Sequence, residues 1–129
     1  MEDVLERTLV LAERAVRLGA DPERVIIDPA HDFGKNTWHS LEITRRLGEM
    51  TATGWPVLMS ASHKDFVGET LGTGIEDRLA GTLAVTSIGS WLGARIFRAH
   101  NVTETRQALD MVSAIRGDVI PAGVVRGLA

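Results

Sequence analysis

The sequence has no cysteine and only a small excess of one charge. Without cysteine, the chain cannot form disulfide bonds, bind a metal through thiolates or use a thiol nucleophile. Its 14 Lys and Arg residues against 17 Asp and Glu residues give a formal charge of −3. Nucleic-acid-binding proteins usually carry a basic excess or a basic stripe, so the composition predicts no nucleic-acid partner.

Long apolar runs are also lacking, since no stretch approaches the roughly 18 residues that a membrane span needs. We therefore expect no membrane partner. The residues from Met1 to Arg7 include three acidic side chains and one basic one, whereas a secretory signal starts basic and then turns apolar. Together with the absence of cysteine, which fits a reducing compartment, this predicts a cytoplasmic protein. The hydrophobic content of 44% supports a packed core.

Apolar residues recur at helical spacing in four segments, which cover about residues 4–18, 40–53, 75–92 and 103–116. Short apolar runs between these segments predict strands at about 25–27, 56–60 and 94–98. Each of the first three helical segments ends at or near a glycine, and these glycines lie 35 and 39 positions apart: Gly19, Gly54 and Gly93. The sequence therefore repeats a strand–helix unit.

Such a repeat indicates parallel strands joined by right-handed helical crossovers, and hence an α/β fold. Two architectures use these units, the open doubly wound sheet and the eight-fold βα barrel of roughly 250 residues. The pattern alone leaves both open. Residues 117–129 are interrupted by glycine and proline and are predicted to be an irregular tail.

Polar side chains follow each predicted strand, where parallel βα folds bind their ligands. Asp28 follows the first strand, Ser62 and Lys64 follow the second, and Arg98 and His100 follow the third. If these strands are neighbours, their side chains meet at one rim. A carboxylate, two permanent cations and a histidine suit an anionic ligand with a polar, hydrogen-bonding body.

Three other motifs in this part of the sequence are incomplete. Asp32-Phe33-Gly34 lacks the other loops of a protein kinase, and Gly34-Lys35 lacks the earlier glycine of a phosphate-binding P-loop. His31, Asp32 and His39 match no standard spacing of metal ligands, so we predict no metal site from them.

Four segments resemble, in their order and spacing, the motifs of the dihydropteroate synthase family. The segments are Asp28-Pro29-Ala30-His31-Asp32-Phe33-Gly34-Lys35-Asn36, Ser62-His63-Lys64-Asp65-Phe66, Glu76-Asp77-Arg78 with Gly81-Thr82, and Arg98-Ala99-His100-Asn101-Val102. This resemblance implies a pterin-binding TIM (β/α)8 barrel. The chain would be its C-terminal part, a partial barrel domain over residues 1–129 with about three βα units, strands 6–8.

By this resemblance, the family joins a dihydropterin methyl diphosphate to p-aminobenzoate and releases diphosphate. Asp28 would accept hydrogen bonds from the pterin amino and ring N–H groups, since a carboxylate offers two acceptor oxygens. Lys64 would bind the pterin edge that carries the carbonyl, and Phe33 would form a wall for the aromatic amine. The resemblance thus implies a pterin diphosphate as the small-molecule partner.

By the same resemblance, the remaining site residues bind the diphosphate or order the loop beside it. Arg98 and His100 would stabilise the negative charge that builds on this leaving group, and Ser62 would order the loop after the second strand. Mg²⁺ on the diphosphate is implied in the same way, as is a folate-type biosynthetic role. No residue is assigned a certain catalytic role.

The sequence departs from the family motifs at several positions. Glycines are replaced at Ala30 and Asp32, an arginine at His63 and an aspartate at Asn101. Asp65 replaces a serine that in the family lies beside the p-aminobenzoate carboxylate. Two like charges about 4 Å apart cost on the order of 1 kcal/mol in water and several at lower dielectric. We therefore expect a divergent relative with reduced or absent synthase activity, and none from this chain alone.

Two alternatives remain at this point. The first is a non-catalytic module that forms a homodimer, because a partial barrel leaves strand edges uncovered and the segment from Leu83 to Leu92 is apolar enough for an interface. The second is a metal-dependent barrel hydrolase that uses His31, Asp32 and His100.

Overall fold

The computed structural model describes residues 1–127 and alternates helices with very short strands. Six α-helices are assigned in this part of the chain: α1 Glu2–Arg17, α2 Thr37–Arg45, α3 Leu47–Thr51, α4 Asp65–Leu71, α5 Leu79–Trp91 and α6 Val102–Arg116. Two strands are assigned, β1 Leu58–Met59 and β2 Ile96–Phe97, and 3-10 turns lie at Pro22–Arg24 and Ile75–Asp77.

The strands are parallel, as the strand–helix repeat predicts. Leu58 pairs with Ile96 and Met59 with Phe97. On the other side of β1, Ile27 forms a parallel bridge with Val57. Three parallel segments therefore lie side by side in chain order, and their carboxyl ends face the same edge.

The core lies between this small sheet and the helices that follow each strand. Its fully buried members come from α3, from β1 and the residue that precedes it, and from α4: Leu47, Met50, Val57, Met59 and Phe66. Helix α5 lies close to β1, because a Cβ atom at Gly89 would be 2.1 Å from the sulfur of Met59. This close packing fixes the position of the chain where it leaves β1.

The helix predicted over 40–53 is two shorter helices. The first of them, α2, begins at Thr37, earlier than predicted. The Asn36 side chain accepts a hydrogen bond from the His39 amide at 2.9 Å and so caps the first turn. The predicted helix breaks at Arg46, whose φ is −103°. The Arg46 guanidinium binds Glu2, Glu42 and Glu49, which ties the break to α1.

The other differences concern short elements. The strand predicted over 25–27 is a single bridge at Ile27, and the strands expected over 56–60 and 94–98 are two residues each. Helix α4 was not predicted, because seven residues are too short to show a helical period. Helix α5 begins at Leu79, after the 3-10 turn that occupies the first part of the predicted span.

After α6 the chain turns at Gly117, where φ is +80°, and residues 118–127 contain neither helix nor strand. The last two residues of the predicted tail, Leu128 and Ala129, lie outside the described residues. Within residues 1–127, each helix is either too short or too polar to span a bilayer.

Candidate functional site

The loop after the first strand segment is coiled by alternate left-handed residues. Ala30, Asp32 and Gly34 have φ values of 54°, 66° and 62°. A left-handed conformation costs a non-glycine residue roughly 1–2 kcal/mol. Asp28 begins the turn, because its Oδ1 accepts a hydrogen bond from the Ala30 amide at 2.7 Å. Its side chain is exposed at the sheet edge.

The Asp32 carboxylate holds this loop against the neighbouring unit. Its Oδ1 accepts a hydrogen bond from the Ser40 hydroxyl at 2.9 Å, and its Oδ2 accepts one from the Phe66 amide at 3.2 Å. The Asp32 amide also donates to the Ser40 hydroxyl at 3.1 Å. One side chain thus joins the loop to α2 and to the first turn of α4. These bonds oppose the backbone strain at the same residue.

His31 points inward and is a structural residue. Its ring is fully buried, stacks on Phe66 with centroids 5.6 Å apart and makes a 3.1 Å hydrogen bond to the Thr44 hydroxyl through Nε2. Burial, together with the positive charge of Lys64, lowers the pKa of His31 to about 4. The imidazole is therefore neutral at neutral pH.

Lys64 reaches from the end of the second strand over the first loop. Its ammonium group donates a hydrogen bond to the His31 carbonyl oxygen and lies 4.8 Å from the centroid of the exposed Phe33 ring. Burial lowers the pKa of Lys64, while the carboxylates of Asp28 and Asp32 act in the opposite direction. The lysine therefore contacts the Phe33 ring and is close enough to both carboxylates for their charges to act on it.

The third strand end presents two further donors. The Arg98 Nε donates to the Ser60 hydroxyl at 3.1 Å. His100 Nδ1 lies 2.9 Å from the Ser62 hydroxyl, which also accepts a hydrogen bond from the His100 amide at 3.1 Å. Both serines are buried, whereas Arg98 and His100 are exposed. Each serine thus fixes one side of a donor whose other side faces solvent.

These contacts bring the predicted residues together at one edge. Ser60, Ser62 and Lys64 alternate along one segment; the serines hold the third strand end and the lysine covers the first loop. The charges of both Asp28 and Arg98 act on Lys64. The geometry can accommodate an anionic ligand whose body accepts and donates hydrogen bonds along one side.

The site also contains an ion pair, between Asp65 and Arg78, that the sequence did not predict. Asp65 is exposed at the start of α4, and its carboxylate lies 2.9 Å from Arg78 Nη1. The same Arg78 nitrogen donates to the His63 carbonyl at 2.7 Å. Arg78 belongs to one of the four motifs, so its place in the sequence was the available signal. The two partners of Arg78, Asp65 and His63, lie 13 and 15 residues away in the sequence, so local patterns do not reveal them.

A metal site does not form from the histidines and acidic residues that the sequence offers. Within residues 1–127, no three His, Asp or Glu side chains lie close enough to hold an ion. His31, Asp32 and His100 therefore do not make the centre that a barrel hydrolase would need. The residues around Arg98 and His100 are hydroxyls and cations rather than the oxygen anions that Mg²⁺ prefers.

Comparison with known proteins identifies the class to which this fold and site belong. The family of pterin binding enzymes matches residues 1–100, and the chain belongs to that family. A solved structure of a Coxiella burnetii dihydropteroate synthase in complex with pteroic acid superimposes with a TM-score of 0.87 and 30% identity. The match covers 92% of this chain and 44% of that one, so the α/β fold is part of a βα barrel, as predicted.

Among individual proteins, the chain is 52% identical to inactive dihydropteroate synthase 2 of Mycobacterium leprae, over all 129 residues and 44% of that protein. It is 37% identical to dihydropteroate synthase of Escherichia coli over 101 residues, which are 78% of this chain and 36% of the relative. The chain thus spans less than half the length of these relatives. The predicted resemblance to dihydropteroate synthases is confirmed.

Proposed function

We propose that these residues form the pterin and diphosphate half of a dihydropteroate synthase-type site, in a protein with reduced or absent transfer to p-aminobenzoate. The observation that carries the proposal is the convergence of Asp28, Lys64, Arg98 and His100 on one edge of the parallel segments. The name of the Mycobacterium leprae relative, an inactive synthase, supports the second part.

The pterin would lie between Asp28 and Lys64. One Asp28 oxygen already accepts the Ala30 amide, and the exposed carboxylate keeps further lone pairs for the amino and ring N–H groups of a pterin. Lys64 offers the complementary donor for a carbonyl oxygen. Phe33 lies under the ammonium and offers an apolar wall for an aromatic amine.

The diphosphate would bind at Arg98 and His100, which present donors to solvent while Ser60 and Ser62 hold them from behind. The exposed Arg98 side chain bonds to a hydroxyl rather than to a carboxylate, so its charge is available for an anion. Any Mg²⁺ would be held by the diphosphate oxygens, because the described residues at this edge supply no group of carboxylates for it.

Recognition of p-aminobenzoate is the step that we expect to be lost. Asp65 places a carboxylate at the start of α4, and this carboxylate already neutralises Arg78. An aryl carboxylate would approach one negative charge and find the nearby positive charge paired. The two effects act in the same direction, against binding of a second anion.

The surface of the chain has an apolar region that could serve as a subunit interface. Large apolar side chains are exposed near the C-terminal ends of α5 and α6, including Trp91 and Ile115. These ends are joined by a 2.9 Å hydrogen bond from Arg116 to the Ser90 carbonyl. We propose that this surface is an interface in a homodimer, and that the protein is cytoplasmic.

Calorimetry with a non-hydrolysable pterin diphosphate analogue and the intact protein tests the proposed site. We expect wild type to bind and Asp28→Ala to weaken binding about 10- to 100-fold, since hydrogen bonds to a charged acceptor contribute about 1.5–3 kcal/mol each. Asp110→Ala, which removes an exposed carboxylate on α6, is the matched control. Absence of binding by wild type, or equal affinities of the two variants, would reject the site.

A synthase assay tests the proposed loss of transfer. We expect no dihydropteroate from the wild-type protein supplied with p-aminobenzoate and dihydropterin methyl diphosphate. Asp65→Ser removes the competing carboxylate and is expected to raise p-aminobenzoate binding above the wild-type level. Efficient use of p-aminobenzoate by the unmodified protein would contradict the charge argument at Asp65.

A further inference from the structure

His63 is bonded to its surroundings through every polar group that it has. Its amide donates to the Thr82 hydroxyl at 3.3 Å, and its carbonyl accepts from Arg78 at 2.7 Å. Its ring nitrogens lie 3.2 Å from the Ile75 carbonyl oxygen and 2.8 Å from the Asn101 side-chain oxygen. The residue has a φ of +56°, so this conformation is held at some cost by those contacts.

The bond to Asn101 links two loops of the site. His63 follows β1 and Asn101 follows β2, and their contact spans 38 residues of chain. The His63 ring also lies against the ring of His100, with centroids 5.3 Å apart. Ser62, next to His63, holds His100 through two further hydrogen bonds. The His100 ring therefore contacts both Ser62 and the His63 ring, which Asn101 anchors.

The side chains of His63 and Asn101 have complementary hydrogen-bonding groups. These two positions carry arginine and aspartate in the motifs that the sequence resembles, and here both are replaced, by histidine and asparagine. An aspartate carboxylate only accepts hydrogen bonds, and so it suits an arginine that only donates. An asparagine amide can accept from an imidazole N–H or donate to an imidazole nitrogen, depending on how the amide is oriented. Histidine and asparagine at these positions can therefore bond to each other, as they do here at 2.8 Å.

We propose that His63 and Asn101 act as one coupled pair of positioning residues, which orients His100 toward an anionic ligand such as the diphosphate group. This inference rests on the proposed anion site at Arg98 and His100 and extends it by two residues. Neither residue is proposed to touch the reacting atoms. The pair acts by limiting the ring orientations of His100, so that less conformational freedom is lost when the anion binds.

The test measures binding of inorganic diphosphate to the intact protein by calorimetry. We expect His63→Ala and Asn101→Ala each to weaken binding by roughly tenfold, and the double variant to bind no more weakly than either alone, because both break the same bond. In a His100→Ala background, His63→Ala is expected to have no further effect. Thr103→Ala, an exposed change two residues from Asn101, is the control.

The possible outcomes separate this inference from the proposed function. If wild type binds diphosphate and both alanine variants match the Thr103→Ala control, the pair has no positioning role. If the effect of His63→Ala persists unchanged in the His100→Ala background, it does not act through His100, and the inference is wrong. If wild type does not bind diphosphate, the proposed anion site is wrong.

A ligand-free measurement decides the positioning role in every case. Asn101→Ala leaves the His63 ring in the protein but removes its anchor, so it also serves if His63→Ala does not fold. We expect the imidazole NMR signals of His100 to broaden in Asn101→Ala and to be unchanged in Thr103→Ala. Sharp and unshifted His100 signals in Asn101→Ala would overturn the proposal, whether or not diphosphate binds.

Discussion

The loop after the first strand and the end of the third strand use their polar groups in opposite ways. In residues 28–36, Asp32 accepts hydrogen bonds from Ser40 and Phe66 outside the loop, and Lys35 donates to the Ala30 and Phe33 carbonyls within it. At the third strand end, Arg98 and His100 each make one side-chain bond to a buried serine and face solvent with the rest. Apart from the exposed Asp28 carboxylate, the polar side chains of the first region are used within the protein, whereas those of the second remain available to a ligand.

This contrast separates residues that shape the site from residues that bind. Asp32 and His31 have the residue types of a catalytic or metal site, but their partners are Ser40, Phe66 and Thr44. We therefore expect changes at Asp32 or His31 to affect folding stability first. Changes at Arg98 should affect anion affinity while leaving stability nearly unchanged.

The largest expected effect is the pH dependence of stability that comes from His31. Its pKa is about 4 in the folded protein and about 6.5 in an unfolded chain. Between these values the unfolded state binds more protons, so folding stability falls as the pH drops from about 6.5 toward 4. The full difference is on the order of 3 kcal/mol.

His31→Leu isolates this contribution. Urea unfolding of both proteins at pH 7.5 and pH 4.5 gives four free energies of unfolding. Other histidines and carboxylates titrate in both proteins, so the difference between their two pH dependences reports on His31. We expect wild type to lose more stability on acidification than His31→Leu does. Equal losses would mean that His31 is not held neutral by burial.

Asp32→Ala is expected to reduce the free energy of unfolding by about 2–3 kcal/mol, because it removes the carboxylate bonds to Ser40 and Phe66. Asp32→Gly removes the same bonds but relieves the left-handed strain, so it should be more stable than the alanine variant by about 1 kcal/mol. Urea unfolding measures both. A glycine variant less stable than the alanine variant would contradict the strain at this residue.

Arg98→Ala provides the opposite case. We expect it to weaken binding of inorganic diphosphate about tenfold or more, since the guanidinium offers a charge-assisted donor pair to an anion. Its melting temperature should stay close to that of wild type, because the side chain is exposed and its one bond is to Ser60. Unchanged diphosphate affinity would remove Arg98 from the proposed site, and a large loss of stability would show that Arg98 is a structural residue like Asp32.

The sequence predicted the parallel strand–helix units and the positions of Asp28, Lys64, Arg98 and His100, because hydrophobic periodicity and strand ends are local signals. It could not predict that Asp32 would bind the Phe66 amide, since 34 residues separate them. It also missed α4, whose seven residues carry no helical period. The inward orientation of His31 depends on the same long-range packing, against Thr44 and Phe66.

The smallest effect is expected at Ala30, which has a φ of +54° and lies between Asp28 and the inward-pointing His31. Ala30→Gly should stabilise the protein by up to about 1 kcal/mol, because glycine adopts this conformation without steric cost; its greater freedom in the unfolded chain offsets part of the gain. The Ala30 amide still donates to Asp28 in the variant, so pterin analogue binding should be unchanged. Urea unfolding measures the stability, and calorimetry measures the affinity for the pterin analogue.

Gly48→Ala is the reciprocal control. Gly48 lies in a right-handed helical turn, so alanine should not destabilise the protein there, as it would at a left-handed glycine. If Ala30→Gly is instead less stable than wild type, the left-handed conformation of Ala30 carries no net strain. The contacts of the first loop then hold that conformation without cost.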